Sequence, residues 1–207
     1  MKYLVTHWER VIKLFIEHSI LTFLSLFIAL CIAIPLGIVV SRNKKAAVIT
    51  TNFFGVIYTI PGLALLSFLV PFFGLGAKSA LITLAAYAQM ILVRNTITSI
   101  TTIKPEIIEA ARGMGMNKLQ LALKVQFPLA IPIIVAGIRI ATISIINLAF
   151  IAAFINGGGL GELVLEGIRT NNSGKIISGT IALGVLMVLT ELIFRIIEHF
   201  ISLKPRK

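Results

Sequence analysis

The sequence predicts an all-α protein, a multi-span transmembrane helical bundle of about five spans with an N-terminal amphipathic helix and a helical cytoplasmic loop. Three observations carry that expectation. Of 207 residues, 57% are hydrophobic and only 13% charged, with a mean hydropathy of +1.00, more apolar surface than a water-soluble domain of this size can bury. Charge-free stretches recur at lengths that cross a bilayer core, for which about 20 helical residues suffice. The basic residues gather between those stretches and do so unequally on alternate connections.

Residues 1–18 open the chain. Leu4, Val5, Trp8, Val11, Ile12, Phe15 and Ile16 recur at helical spacing, while His7, Glu9, Arg10, Lys13 and Glu17 take the other face. That pattern fits an amphipathic helix lying along the membrane interface, with a plain extension of the first span as the alternative. The membrane domain then runs over 19–207. Ser19 to Ser41 carries no charge and is the first span. Between Lys45 and Lys78 lie 32 uncharged residues, too few for two full spans and a turn, so this stretch is one span bent at Pro61-Gly62. Ser79 to Val93 gives the third, continuing past Arg94, whose long stem can reach the interface. Leu129 to Ile155 is the fourth, with Arg139 inside it, and Ile176 to about Phe194 the fifth, with Glu191 near its end. An odd count puts the termini on opposite sides.

Net charge is +11, from 19 Lys and Arg against 8 acidic residues. The basic residues are scattered between apolar runs with no basic face interleaved with aromatics, which argues against nucleic acid and for membrane lipid as the partner. Arg42, Lys44, Lys45, Arg94, Lys104, Arg112, Lys118, Lys124, Arg195, Lys204, Arg206 and Lys207 fall on one side, and Lys2, Arg10, Lys13, Lys78, Arg169 and Lys175 on the other. Basic flanks stay cytoplasmic, so the C-terminus is expected inside and the N-terminus outside. No cleavable signal pattern is visible. The single cysteine, Cys31, excludes an internal disulfide.

Enzymatic chemistry is not expected. A phosphate-binding loop needs Gly, four residues, then Gly-Lys-Ser or Thr, and the one Gly-Lys pair, Gly174-Lys175, is followed by Ile176. His7, His18 and His199 are far apart and no cysteine or carboxylate cluster has metal spacing, so neither a metal nor a cofactor is expected.

The loop 101–127 is built differently from a simple connection. Pro105 suits a first helical position, Glu106 and Glu109 favour the positive end of a helix dipole, and Ile103, Ile107, Ile108, Ala111 and Met114 would form one apolar stripe. Gly113 and Gly115 would end that helix, Asn117 would cap a second running to Val125, and Pro128 would stop it. Such a helix suits a groove on another protein, or the membrane surface as a mere connector.

Glu109-Ala110-Ala111, three residues, Gly115, nine residues, then Val125-Gln126-Phe127-Pro128 closely resembles the cytoplasmic signature of ABC importer permeases. The resemblance implies a coupling helix that sits in a cleft of the ATP-hydrolysing subunit, with docking assigned to Glu109, Ala110, Ala111 and Gly115. Lys104 stands where relatives often have a capping Asp, and Val125 and Phe127 replace the usual Ile and Leu. Thr59-Ile60-Pro61-Gly62-Leu63-Ala64-Leu65-Leu66, Val93-Arg94-Asn95-Thr96, Ala136-Gly137-Ile138-Arg139 and Gly157-Gly158-Gly159-Leu160-Gly161-Glu162 narrow the resemblance to permeases of osmoprotectant importers for glycine betaine, carnitine or choline. It runs from about Ser19 to Phe200 and implies a methionine-importer-type permease fold. It also implies two ATP-binding subunits, a second permease, identical or homologous, and an extracytoplasmic substrate-binding protein. An amino-acid permease, such as one for methionine, and a passive channel are the competing readings.

For the translocation path, three residues stand out. Tyr58 offers an aromatic face to a quaternary ammonium ion just before the Pro61 bend, where backbone groups open. Arg139, expensive in the membrane at on the order of 3 kcal/mol, should pair with a carboxylate such as Glu191 or meet a substrate carboxylate. A reporter fused after Lys207 is expected to be cytoplasmic, and its appearance on the outer side would reverse the topology.

Overall fold

The computed structural model describes residues 2–202, so Lys204, Arg206 and Lys207 of the basic flank lie outside the described residues. Among the described residues every regular element is helical. A short helix α1 (Lys2–Thr6) leads into α2 (Trp8–Val40). There follow α3 (Lys44–Thr59), α4 (Gly62–Phe73), α5 (Ala77–Thr101), α6 (Pro105–Gly113), α7 (Lys118–Leu121), α8 (Phe127–Ile151), α9 (Leu160–Arg169) and α10 (Ser173–Ser202).

The direction of each helix follows from which residues touch. Gln89 Nε2 of α5 donates to the Ala29 carbonyl of α2 at 3.2 Å, and a Cβ on Gly37 would meet Thr96 at 2.6 Å. Both sequence numbers rise together, so α2 and α5 are parallel. The chain between them must therefore cross to the opposite end, which makes α3 and α4 one span despite the 93° bend between them. Helix α8 is antiparallel to α5, since Gly137 lies on Asn95 and the Gly76 N–H donates to the Ile155 carbonyl at 2.8 Å. With α10 returning beside α8, the chain crosses five times. Of the span windows α5 is the most enclosed, 56% buried against 28% for α2 and α10, and forms the axis of the bundle.

Lipid tails are as apolar as leucine, so burial alone does not bring such helices together, and close approach of small residues does. Ala29 and Ala33 of α2, Ala80 and Ala88 of α5, and Ala141 and Ala149 of α8 supply it, all almost fully buried. Four of the hydroxyls buried among them are satisfied locally, whereas that of Thr22 has no partner. Ser25 donates to the Leu21 carbonyl, Thr83 to Ser79, Thr96 to Leu92 and Thr142 to Ile138, at 2.7 to 2.9 Å.

Two expectations change. Of the two readings of residues 1–18 the structure takes the second, an extension of the first span, in place of a separate interfacial helix: the break falls at His7, and residues 8–18 continue directly into the first span. Part of their apolar side is taken up within the protein, where Val11 and Leu14 pack on Leu160 and Leu163 of α9 and Ala182 of α10, while Val5, Trp8, Ile12 and Ile16 stay exposed. Pro128 does not stop the second loop helix. One π-helical turn over Ala122–Gln126 lets the Phe127 N–H reach the Ala122 carbonyl, and the wider turn passes the proline into α8 without a break.

The end of the bundle away from the α6 loop is tied by charge. Glu166 of α9 accepts from Lys175 Nζ at 2.6 Å and from the Arg10 guanidinium, linking α9, α10 and α2. The Lys175 hydrogen bond first, then that of Arg10, holds the Glu166 carboxyl below the usual carboxylate range. A depressed pKa stabilises the fold above the unfolded value and ceases to do so as pH falls through the folded one. The purified protein should therefore melt higher than Glu166→Gln at pH 7, and the difference should close as the pH is taken below the ordinary carboxylate range. A difference that is independent of pH would remove this role.

Candidate functional site

Two places combine exposed and unusual chemistry: the loop at the α5–α8 end, and a groove at the α3–α4 break.

The loop helix α6 starts on Pro105, carries Glu106 in its first turn and Arg112 in its last, each complementary to the helix dipole. Lys104 occupies the N-cap position and makes no side-chain cap bond. The helix closes through Gly115, whose φ of +78° is a left-handed conformation that glycine adopts without strain. Asn117 then caps α7 in a reciprocal box, accepting from the Gln120 N–H at 2.8 Å while Gln120 accepts from the Asn117 N–H at 3.0 Å. Of the four docking residues drawn from the sequence, Glu109, Ala110 and Gly115 are exposed together, whereas Ala111 is 2% exposed and turned inward. The apolar stripe divides in the same way. Ile107 and Met114 face out, Met114 at 72% exposure, with Leu119 and Leu123 beyond them, while Ile103 and Ile108 are half-buried. Large apolar side chains left open beside an acidic residue and a small one are what an incoming partner can cover.

The groove has a volume of about 320 Å³ and is lined by Tyr58 of α3, Tyr87 and Ala88 of α5, and Ser144, Asn147 and Leu148 of α8, with Ile145 and Ile151 behind. The Tyr58 and Tyr87 rings are 5.5 Å apart at 53°. Pro61 adjoins it. The next residue, Gly62, sits so close to α8 that a Cβ there would meet Leu148 at 2.3 Å. Tyr58 is thus at the groove, and Pro61 sets the bend that shapes it.

Arg139 is elsewhere. Its Nη1 lies 3.1 Å from Glu198 and 3.4 Å from Glu191, both on α10, and it is not among the groove's lining residues. Glu191 was legible as a partner from the sequence. Glu198 was missed, although seven residues on the same helix face it follows directly. Tyr87 was one of five aromatics, with Phe53, Phe54, Tyr58 and Phe68, that the sequence offered to a quaternary ammonium ion, whereas Ser144 and Asn147 were not singled out, and the signal for those two was the occurrence of small polar residues in an apolar run. Among the described residues no group of three His, Cys, Asp or Glu is placed to hold a metal.

The family of binding-protein-dependent transport system inner membrane components matches residues 29–206. The chain belongs to that family. Several of its relatives are named for their substrates. A glycine betaine/carnitine/choline transport system permease protein of Bacillus subtilis is 34% identical over 188 residues, 91% of this chain and 87% of that one. A choline transport system permease protein of the same organism is 32% identical, covering 96% and 92%. An ergothioneine transport permease/ergothioneine binding protein of Helicobacter pylori is 34% identical over 85% of this chain and 32% of that longer protein. In fold, the permease matches a chain of the inward-facing MetNI methionine ABC transporter with a TM-score of 0.82 at 22% identity, over 92% of this chain and 95% of that one.

Arg139 is expected to serve structure. Replacing it with Gln leaves Glu198 without its cation and Glu191 with only Arg195 at 3.9 Å, which should lower thermal stability by on the order of 1–3 kcal/mol while transport KM stays unchanged. A stable, assembled Arg139→Gln with a raised KM would move the residue into the path.

Proposed function

We propose that the chain is the membrane-spanning permease subunit of an ATP-driven ABC importer for quaternary ammonium osmoprotectants, namely glycine betaine, carnitine or choline. The observation that carries the substrate class is the likeness, at 32–34% identity over more than nine-tenths of the chain, to permeases named for those compounds. The methionine reading is supported by fold alone, at 22% identity. A passive channel would give the open loop helix no task.

In this reading two permeases, identical or homologous, enclose a path in the cell membrane and two ATP-binding subunits bind at the α6 loops. A separate substrate-binding protein delivers from outside. The N-terminus lies outside and the C-terminus in the cytoplasm, as the unequal basic flanks favour. Glu109, Ala110 and Gly115 contact the ATP-binding subunit, and Ala111 fixes α6 on the bundle. ATP-driven closure of the two motors pushes on both loops and turns the helices about bends such as Pro61, alternately exposing the Tyr58 region to either side. ATP hydrolysis belongs to the partner subunits, and release inside follows it. The basic cytoplasmic rim also attracts anionic lipid, at about 1 kcal/mol per basic residue near the surface.

Uptake of labelled glycine betaine, carnitine, choline and methionine by the assembled complex, each competed by the others, tests the reading. ATP-dependent uptake of at least one quaternary ammonium compound is expected, and uptake of methionine alone would overturn the substrate class. Bulky residues at Ala110 and Gly115 should overpack the contact by about 1–3 kcal/mol, weakening motor attachment on the order of tenfold. Unchanged attachment and uptake would overturn the docking assignment.

A further inference from the structure

We propose that the groove at the α3–α4 break is a binding site, within the permease itself, for the trimethylammonium group of the transported compound, with Tyr58 and Tyr87 as its recognition element. This rests on the substrate class proposed above and deepens it.

A trimethylammonium group is a permanent cation without an N–H, so hydrogen bonds cannot hold it, and aromatic faces attract it through their quadrupole. Glycine betaine, carnitine, choline and ergothioneine, the compounds for which the relatives are named, all carry that group. The two tyrosine rings meet at 53° with centroids 5.5 Å apart, forming a corner of two π-faces on one wall of the groove. Tyr58 is 43% exposed there.

The rest of the lining fits the same ligand and disfavours others. No charged side chain lines the groove. A primary ammonium or guanidinium ion, which must place three to five N–H donors, would find no carboxylate, and Glu191 and Glu198 are engaged by Arg139 on another face of α8. Ser144 and Asn147 supply neutral hydrogen-bonding groups for the hydroxyl or carboxylate at the far end of the molecule. A volume of about 320 Å³ is at the small end of ligand pockets.

Depth argues that the corner is kept for more than packing. Tyr58 lies fourteen residues along α3 from Lys44, about 21 Å of helix, within the length of a hydrocarbon core of about 30 Å. An exposed Asn147 at such a level is costly against lipid and natural in a path.

The test uses the complete transporter in liposomes with its binding protein, and Tyr58 and Tyr87 replaced in turn by Phe and by mono-, di- and trifluorinated Phe. Fluorination drains the ring face and hardly changes its shape. The readout is choline accumulated per ATP hydrolysed, because a weakened site lets substrate slip back while the motor continues to turn over. Phe should match the tyrosine, and the ratio should fall stepwise with fluorine number at one position or both, reaching about 3- to 30-fold, with ATP hydrolysis unchanged. Tyr58→Leu should fall at least as far. A flat series in a complex that carries choline overturns this site and leaves the proposed function standing. A complex that carries no trimethylammonium compound at all overturns both.

Discussion

Backbone that leaves helical hydrogen bonding inside hydrocarbon must be covered by protein or open onto a polar cavity, and this constraint organises the molecule around Ile60 and Pro61. There α3 ends and α4 starts at 93° to it, with Pro61 contributing no N–H and no side-chain cap to the new helix. Some groups are answered nearby. The Thr59 hydroxyl donates to the Val56 carbonyl at 2.7 Å, and the Leu65 N–H reaches the Pro61 carbonyl at 3.0 Å. The groove between Tyr58, Tyr87 and Asn147 is the open side of the same break. Within this chain α3 and α4 bury only Ala47 and Leu66, so the bent pair is the least covered part of the bundle. In the assembly we propose, a second permease supplies the missing cover, and the path runs where the two breaks face each other.

A bend of this size is tolerable only if the remaining helices hold their places without it. They do so by contact rather than by hydrophobic drive. Gly37 against Thr96 and Gly137 against Asn95 bring α2 and α8 so near α5 that a single added Cβ would overlap, at 2.6 and 2.5 Å. The amide of Gln89 bonds across to α2 about two turns farther from the α6 loop. These contacts cluster on the half of the bundle toward the α6 loop. The opposite end is held by other means: the Glu166 ion cluster and the seat of Gly161, where a Cβ would meet the Phe150 carbonyl at 2.0 Å.

The five spans were readable in the sequence because charge spacing and bilayer thickness leave few alternatives, and the parallel run of α2 and α5 bears out the odd number. The loop helix was equally readable, since Pro105, Asn117 and the glycines at 113 and 115 are local signals with local causes. Two features escaped for a common reason. Periodicity in residues 1–18 shows that one face is apolar, and it does not show whether lipid or Leu160 and Leu163 will cover that face. Pro128 likewise reads as a stop because a proline removes one α-helical bond, and a π turn that accommodates it has no sequence signature of its own. Asn147 and Tyr87 come together only through the antiparallel register of α5 and α8, which no local pattern encodes.

That π turn joins the two candidate sites. From Lys118 to Ile155 the chain is one uninterrupted helical rod, 38 residues long, whose first turn adjoins α6 and whose far half carries Ser144, Asn147 and Leu148. A displacement of the loop therefore reaches the groove along hydrogen-bonded backbone, without passing through any flexible connection. The rod departs from α-helical spacing at its two ends, in the π turn Ala122–Gln126 beside the loop and in a 3-10 turn over Ala152–Ile155. Arg139, midway along the rod, is bound to Glu191 and Glu198 and so makes α10 follow α8. The span that does not follow is α3 with α4, whose α4 half touches the rod where Gly62 meets Leu148 and along its last turn, Ala152–Ile155. In the mechanism we propose, motion of α8 relative to that contact changes the width of the groove and so carries a push on the loop to Tyr58.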